Sequence, residues 1–101
     1  MQEVQKITCV NSAGFIQKFR VKWDGGCSDW SDTYPNPKSS TIDLSKYNLE
    51  FGKEVWVEVK AILGSTKEST PRVVYNPLSE CTGVYRTTGT TLSYKIKLEG
   101  E

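Results

Sequence analysis

The chain has 101 residues, 37% of them hydrophobic and 25% charged, with 13 basic against 12 acidic side chains and no histidine. A chain this long buries roughly two thirds of the surface its unfolded form exposes, enough for one domain over residues 1–101 to fold by packing alone. A formal charge of +1 supplies no basic field for nucleic acid and no polybasic face for an anionic membrane. The missing histidine removes the Ser-His and Cys-His nucleophile pairs and the common zinc sites, so neither an enzyme nor a metal or cofactor site is expected.

The opening MQEVQKITCV carries Glu3 and Lys6 and lacks the apolar run of a signal peptide, which predicts a cytoplasmic protein, with any release by a non-classical route. A weak strand is predicted over 4–10, ended by the turn Asn11-Ser12-Ala13-Gly14. From Gly14 to Trp23 the apolar positions Phe15, Phe19, Val21 and Trp23 alternate with Lys18, Arg20 and Lys22, a strand with one wet face. After Asp24-Gly25-Gly26 and Tyr34-Pro35-Asn36-Pro37, a weak strand follows over 40–44 and a short helical turn over 43–48. The run 53–63 places Val55, Val57, Val59, Ala61 and Leu63 on one face and Trp56, Glu58 and Lys60 on the other with Ile62. Weak strands over 70–75 and 81–86 precede Leu92, Tyr94, Ile96 and Leu98, which alternate with Ser93, Lys95 and Lys97. Thr87-Thr88-Gly89-Thr90-Thr91 reads as the hairpin before that last strand. About seven or eight short strands punctuated by turns predict an all-β fold, a two-sheet antiparallel β-sandwich of immunoglobulin-like or jelly-roll-like type. A small barrel is the alternative. Cys9, Cys27 and Cys81 form an odd set without C-x-x-C spacing; free thiols are expected, with a Cys9–Cys81 bridge as runner-up.

The most unusual composition lies between Trp23 and Pro35, where small polar residues join three carboxylates and large aromatics. Gly25 and Gly26 allow a partner close to the main chain. Asp24, Ser28, Asp29 and Asp32 offer directional hydrogen bonds, and Trp30 and Tyr34 offer flat apolar surface with a polar tip. Those are the needs of a neutral sugar, whose ring has hydroxyls at its rim and CH patches on its faces. Trp23 continues an inward-facing alternation and is read as core. Trp56, beside Glu58 and Lys60, is expected to be partly exposed, for ligand contact or self-association. Asp24, Asp29 and Asp32 could also ligate calcium, though their spacing is not that of an EF-hand and turn aspartates are more often caps. A glycosidase pair drawn from them and Glu58 would need a deeper cleft than this fold encloses.

Asn11-Ser12-Ala13-Gly14-Phe15, with Phe19, Val21 and Trp23 behind it, and Gly89-Thr90-Thr91-Leu92 near the end resemble small cytosolic or toxin-associated β-sandwich proteins. The whole chain resembles the slime-mould (Physarum-type) hemagglutinins, small lectins without a signal peptide. The resemblance implies binding to glycans of glycoproteins or glycolipids and agglutination of cells. Cross-linking requires two sites, which a homodimer through Trp56 would supply. No partner nucleic acid and no direct lipid insertion are expected on this reading. The alternatives are an immunoglobulin-like protein interaction module and a membrane-active defence protein.

Overall fold

The computed structural model describes residues 1–100 and is almost wholly β. In chain order the strands are β1 (Glu3–Val4), β2 (Lys6–Asn11), β3 (Gln17–Trp23), β4 (Gly26–Cys27), β5 (Ser39–Asp43), β6 (Glu54–Ala61), β7 (Thr66–Glu68), β8 (Val73–Tyr75), β9 (Thr82–Thr90) and β10 (Ser93–Leu98). They form two sheets, one ordered β1-β8-β6-β3-β4 with β7 also on β6, the other β10-β9-β2-β5. Two open sheets exclude the barrel. Four of the ten strands, β1, β4, β7 and β8, are only two or three residues long, and alternation cannot reveal elements that short.

Strand direction is a further difference from the sequence reading. β1 pairs in parallel with β8, and β2 in parallel with β9, whereas the remaining ladders are antiparallel. Both sheets are therefore mixed. Gln5 sits between β1 and β2 and is the point at which the chain crosses from one sheet to the other.

The core fills the space between the sheets. Phe19 and Val21 from β3 meet Val55, Val57, Val59 and Ala61 from β6, with Ile7 and Cys9 from β2 and Tyr85, Tyr94 and Leu98 from β9 and β10, all buried. The period-two pattern was legible here because each of these strands has one wet face. Two of the predicted inward residues break the pattern. Leu63 and Leu92 lie past the ends of β6 and before β10, in turns, and are 98% and 97% exposed. Trp23 is half-buried at the margin of the core, its ring tilted against Tyr47 at 5.8 Å between centroids.

Polar groups inside the sandwich are bonded. Thr87 donates to Gln17 Oε1 at 2.6 Å, Gln17 Nε2 donates to Tyr34 Oη at 2.8 Å, and Tyr34 Oη donates to the Cys9 carbonyl at 2.8 Å. The helical turn expected over 43–48 is a 3-10 turn at Leu44–Tyr47, capped by Asp43, whose carboxylate accepts from Ser45 N at 3.0 Å. Cys9 is buried while Cys27 and Cys81 are exposed, and all three are free thiols; the bridge between Cys9 and Cys81 does not form.

Candidate functional site

The segment read as a sugar site is not a loop that folds on itself. Asp24, Gly25 and Gly26 form the tight β3–β4 turn, and the chain then runs back alongside β3. Ser28 N donates to Val21 O, Ser31 N to Phe19 O and Tyr34 N to Gln17 O, all at 2.8 Å. Trp30, Asp32 and Tyr34 are thus spread along the sheet edge, away from Asp24, Gly25 and Gly26. Asp24 instead lines an open groove with Glu50, Phe51, Glu54 and Arg72.

Several of the proposed contacts are committed to the protein itself. Ser28 is buried, its hydroxyl accepting from Val21 N at 2.9 Å. Tyr34 is buried in the polar network described above, and burial raises its phenol far above the ordinary range. A Cβ on Gly26 would meet Trp23 Nε1 at 2.9 Å, so this glycine makes room for an indole of the same chain. Trp56 is 9% exposed, not partly open as the alternation suggested. The Arg72 guanidinium lies 4.1 Å from its ring centre and Glu68 accepts from its Nε1 at 2.7 Å. A homodimer through this indole loses its contact surface.

Trp30 remains half-buried, with the Arg20 guanidinium 4.3 Å and the Lys18 ammonium 5.0 Å from its ring centre. Asp29 and Asp32 stay exposed beside it. Glu58, weighed as a catalytic acid, is paired with Arg20 at 2.6 Å and Lys22 at 3.9 Å. Among the described residues no group of three His, Cys, Asp or Glu side chains converges as a metal site would require.

A different site emerges at the end of the sandwich where β3, β7 and β10 begin and β6 and β9 finish. Three connections meet there: residues 12–16, the β6–β7 turn with Ile62, Leu63 and Gly64, and the β9–β10 turn with Thr91 and Leu92. Ile62 N donates to Ile16 O at 2.8 Å, and Gly14 N to Gly89 O at 2.9 Å. The two turns touch, since a Cβ on Gly64 would lie 2.6 Å from Thr91 Cγ2. Ile16 (49% exposed), Leu63 and Leu92 therefore form one apolar end.

This end is held rigidly from below. Asn11, fully buried, donates through Nδ2 to Phe15 O at 2.8 Å and Tyr34 O at 3.1 Å, and accepts from Ala13 N at 2.9 Å. Tyr94 Oη donates to Ser65 O at 2.8 Å, tying the base of β10 to the β6–β7 turn, and its ring meets Phe15 edge-on at 4.9 Å. Leu63 carries a further cost. Its φ is 68°, in the left-handed region that glycine or asparagine would occupy with less strain. Neither its backbone nor its side chain gains from folding.

Exposed apolar residues occur at the opposite end too, where Phe51 is 66% and Leu78 86% exposed. There they sit among charges: Glu50 precedes Phe51, Glu80 lies two residues after Leu78, and Asp24, Lys53, Glu54 and Arg72 share the Phe51 groove. The turns around Leu63 and Leu92 contain Gly64, Ser65, Thr90, Thr91 and Ser93 and no charge. Sequence reasoning marks Leu63-Gly64-Ser65 as a turn and Thr87-Thr88-Gly89-Thr90-Thr91 as a hairpin, yet it counts Leu63 and Leu92 with the apolar faces of the adjoining strands and so misses that these turns leave both in water.

No family model and no curated protein matches this chain. Among solved structures, pneumolysin superposes with a TM-score of 0.51 at 13% identity over 95% of this chain and 23% of its own. A Gram-negative toxin gives 0.50 at 18% identity over 94% of this chain and 22% of its own. A non-hemolytic pneumolysin from Streptococcus pneumoniae gives 0.50 at 12% identity, covering 95% and 23%. The chain spans less than a quarter of the length of these three proteins. At such identities the likeness concerns the fold: the same sandwich occurs as one segment of larger toxins.

Proposed function

We propose that this domain is a membrane-active module that attaches to lipid bilayers through the apolar end formed by Ile16, Leu63 and Leu92. The observation that carries the reading is Leu63, a leucine almost fully in water on a strained backbone position. Isolated exposed leucines are ordinary; two on touching rigid turns, with no charge between them, form a wedge that water penalises and a bilayer interface rewards. Each leucine transferred from water contributes about 1.5 to 3 kcal/mol. That is enough for reversible attachment and too little for permanent insertion. The fold's recurrence within pneumolysin and another toxin supports a membrane-directed role over an immunoglobulin-like interaction module.

The test is flotation of the purified chain with vesicles of phosphatidylcholine and sterol. Wild type floats with the vesicles. Leu63→Ser and Leu92→Ser stay in the dense fractions with unfolding midpoints near that of wild type. Equal flotation of wild type and both variants would refute the reading. A second reading, glycan binding and agglutination as in the slime-mould hemagglutinins, is favoured by the half-open Trp30 with Asp29 and Asp32 in water beside it. It predicts that attachment to red cells is inhibited by free sugars and is absent from vesicles without glycan.

A further inference from the structure

The sequence disperses its charges, but the fold sets three lysines directly behind the apolar end. Lys60 is three residues before Leu63, Lys95 is three residues after Leu92, and Lys18 is two residues after Ile16. Lys18 and Lys60 are direct cross-strand partners in the β3–β6 ladder. Like charges facing each other across a ladder destabilise a sheet, so this pair is a cost that packing does not explain. None of the three ammonium groups has a carboxylate within ion-pair distance among the described residues. Farther from the apolar end acids and bases meet, Arg20 and Lys22 with Glu58, Lys22 with Glu68, Arg72 with Glu54 and Arg86 with Glu99, although Lys6, Lys46, Lys53 and Lys97 there also lie outside ion-pair distance of the described carboxylates. Asp32, at the level of Lys18, makes no ion pair among the described residues, and the Lys18 ammonium rests over Trp30.

We infer that Lys18, Lys60 and Lys95 form a collar for the phosphates of anionic phospholipid headgroups. The inference rests on the membrane reading above and adds the chemistry of the lipid it selects. Strands rise about 3.3 Å per residue, which sets these ammonium groups on the order of 10 Å behind the leucine tips. An apolar wedge buries roughly 5 to 10 Å into the headgroup and acyl boundary, so leucines at that depth bring the collar level with the phosphates. The lysines lie on the outer faces of both sheets, Lys18 and Lys60 on one and Lys95 on the other, and therefore surround the wedge. At the other end of the molecule Asp24, Glu50 and Glu54 outnumber Lys53 and Arg72 in the Phe51 groove, and Arg72 is paired with Glu54, so that end is drawn to the same surface less than the wedge end is.

The experiment is co-sedimentation of the full chain with vesicles of phosphatidylcholine and sterol, with and without phosphatidylserine, across a sodium chloride titration. Wild type should bind the phosphatidylserine vesicles more tightly, by about fivefold per engaged lysine, and lose that gain as salt rises. The K18Q/K60Q/K95Q triple variant should lose the gain; Lys97→Gln, whose lysine is farther back on β10, should keep it. Equal binding of wild type to both vesicles overturns the collar while leaving the membrane reading intact, and binding to neither overturns both. The salt titration needs no variant, so a misfolded triple variant does not blunt the test. Inorganic phosphate should not saturate the lipid-free protein at millimolar concentration; saturation would assign a discrete phosphate pocket and overturn the surface collar.

Discussion

Trp56 Nε1 donates to Glu68 Oε1 at 2.7 Å on the outer face of the β6–β7 ladder, and the Arg72 guanidinium covers the ring from outside. An indole that alternation assigns to solvent is thereby sealed by an acid and a base of its own chain. The Trp56 bond and the nearby Lys22 hold the Glu68 carboxyl below its ordinary value of 4.5. A depressed carboxyl contributes stability that is present above its unfolded value and lost as pH falls through the folded one. Urea midpoints measured downward from pH 6 should fall below pH 4.5 in wild type, and Glu68→Gln should flatten part of that decline. An unchanged acid profile in the variant would remove Glu68 from the account.

Thiol chemistry should distinguish the cysteines. Burial pushes the Cys9 thiol up to about 11, whereas Cys27 and Cys81 are exposed. In native protein at pH 8 a disulfide reagent should titrate two thiols quickly and the third only on unfolding. Fast reaction of all three would mean that β2 opens readily at Cys9.

Gly89 is placed where no other residue fits. Its φ is 117°, and a Cβ there would meet Ser93 O at 2.5 Å and Tyr94 Cα at 2.8 Å. Gly89→Ala must bend the β9–β10 hairpin, costing more than about 1 kcal/mol of stability. It should also displace Leu92 and weaken vesicle flotation. Retained flotation with retained stability would show that the hairpin absorbs the methyl group.

Trp30→Ala separates the two readings of the chain. It removes the ring under Arg20 and Lys18, contacts worth about 0.5 to 2 kcal/mol together with the packed area. Flotation should be nearly unchanged, because Trp30 lies on the β3 edge rather than at the apolar end. A loss of sugar-inhibited red-cell binding with flotation intact would instead assign Trp30 to glycan.

The fold class was legible because Phe19, Val21, Val55, Val57 and Val59 alternate with charged residues on strands wetted on one side. What alternation could not supply was where each strand stops. Leu63 and Leu92 keep the phase of their strands, and only the backbone turn at Gly64 and the Gly89 hairpin puts them in water. Strand direction was equally invisible, since side chains alternate in the same way in parallel and antiparallel ladders. The path of the segment between Trp23 and Pro35 was hidden for a related reason: it looks like one polar loop in sequence, but the backbone bonds of Ser28 to Val21, Ser31 to Phe19 and Tyr34 to Gln17 stretch it along an edge.

Val4 and Ile7 are close in sequence yet lie in different sheets, each paired in parallel with a strand from the second half of the chain. Neither layer can close until residues beyond 73 have found their places. Such distant pairings put the domain among slow folders, on the order of milliseconds to seconds. During synthesis the opening segment must wait with an unsatisfied edge, and a chaperone that shields it would raise the yield of native protein.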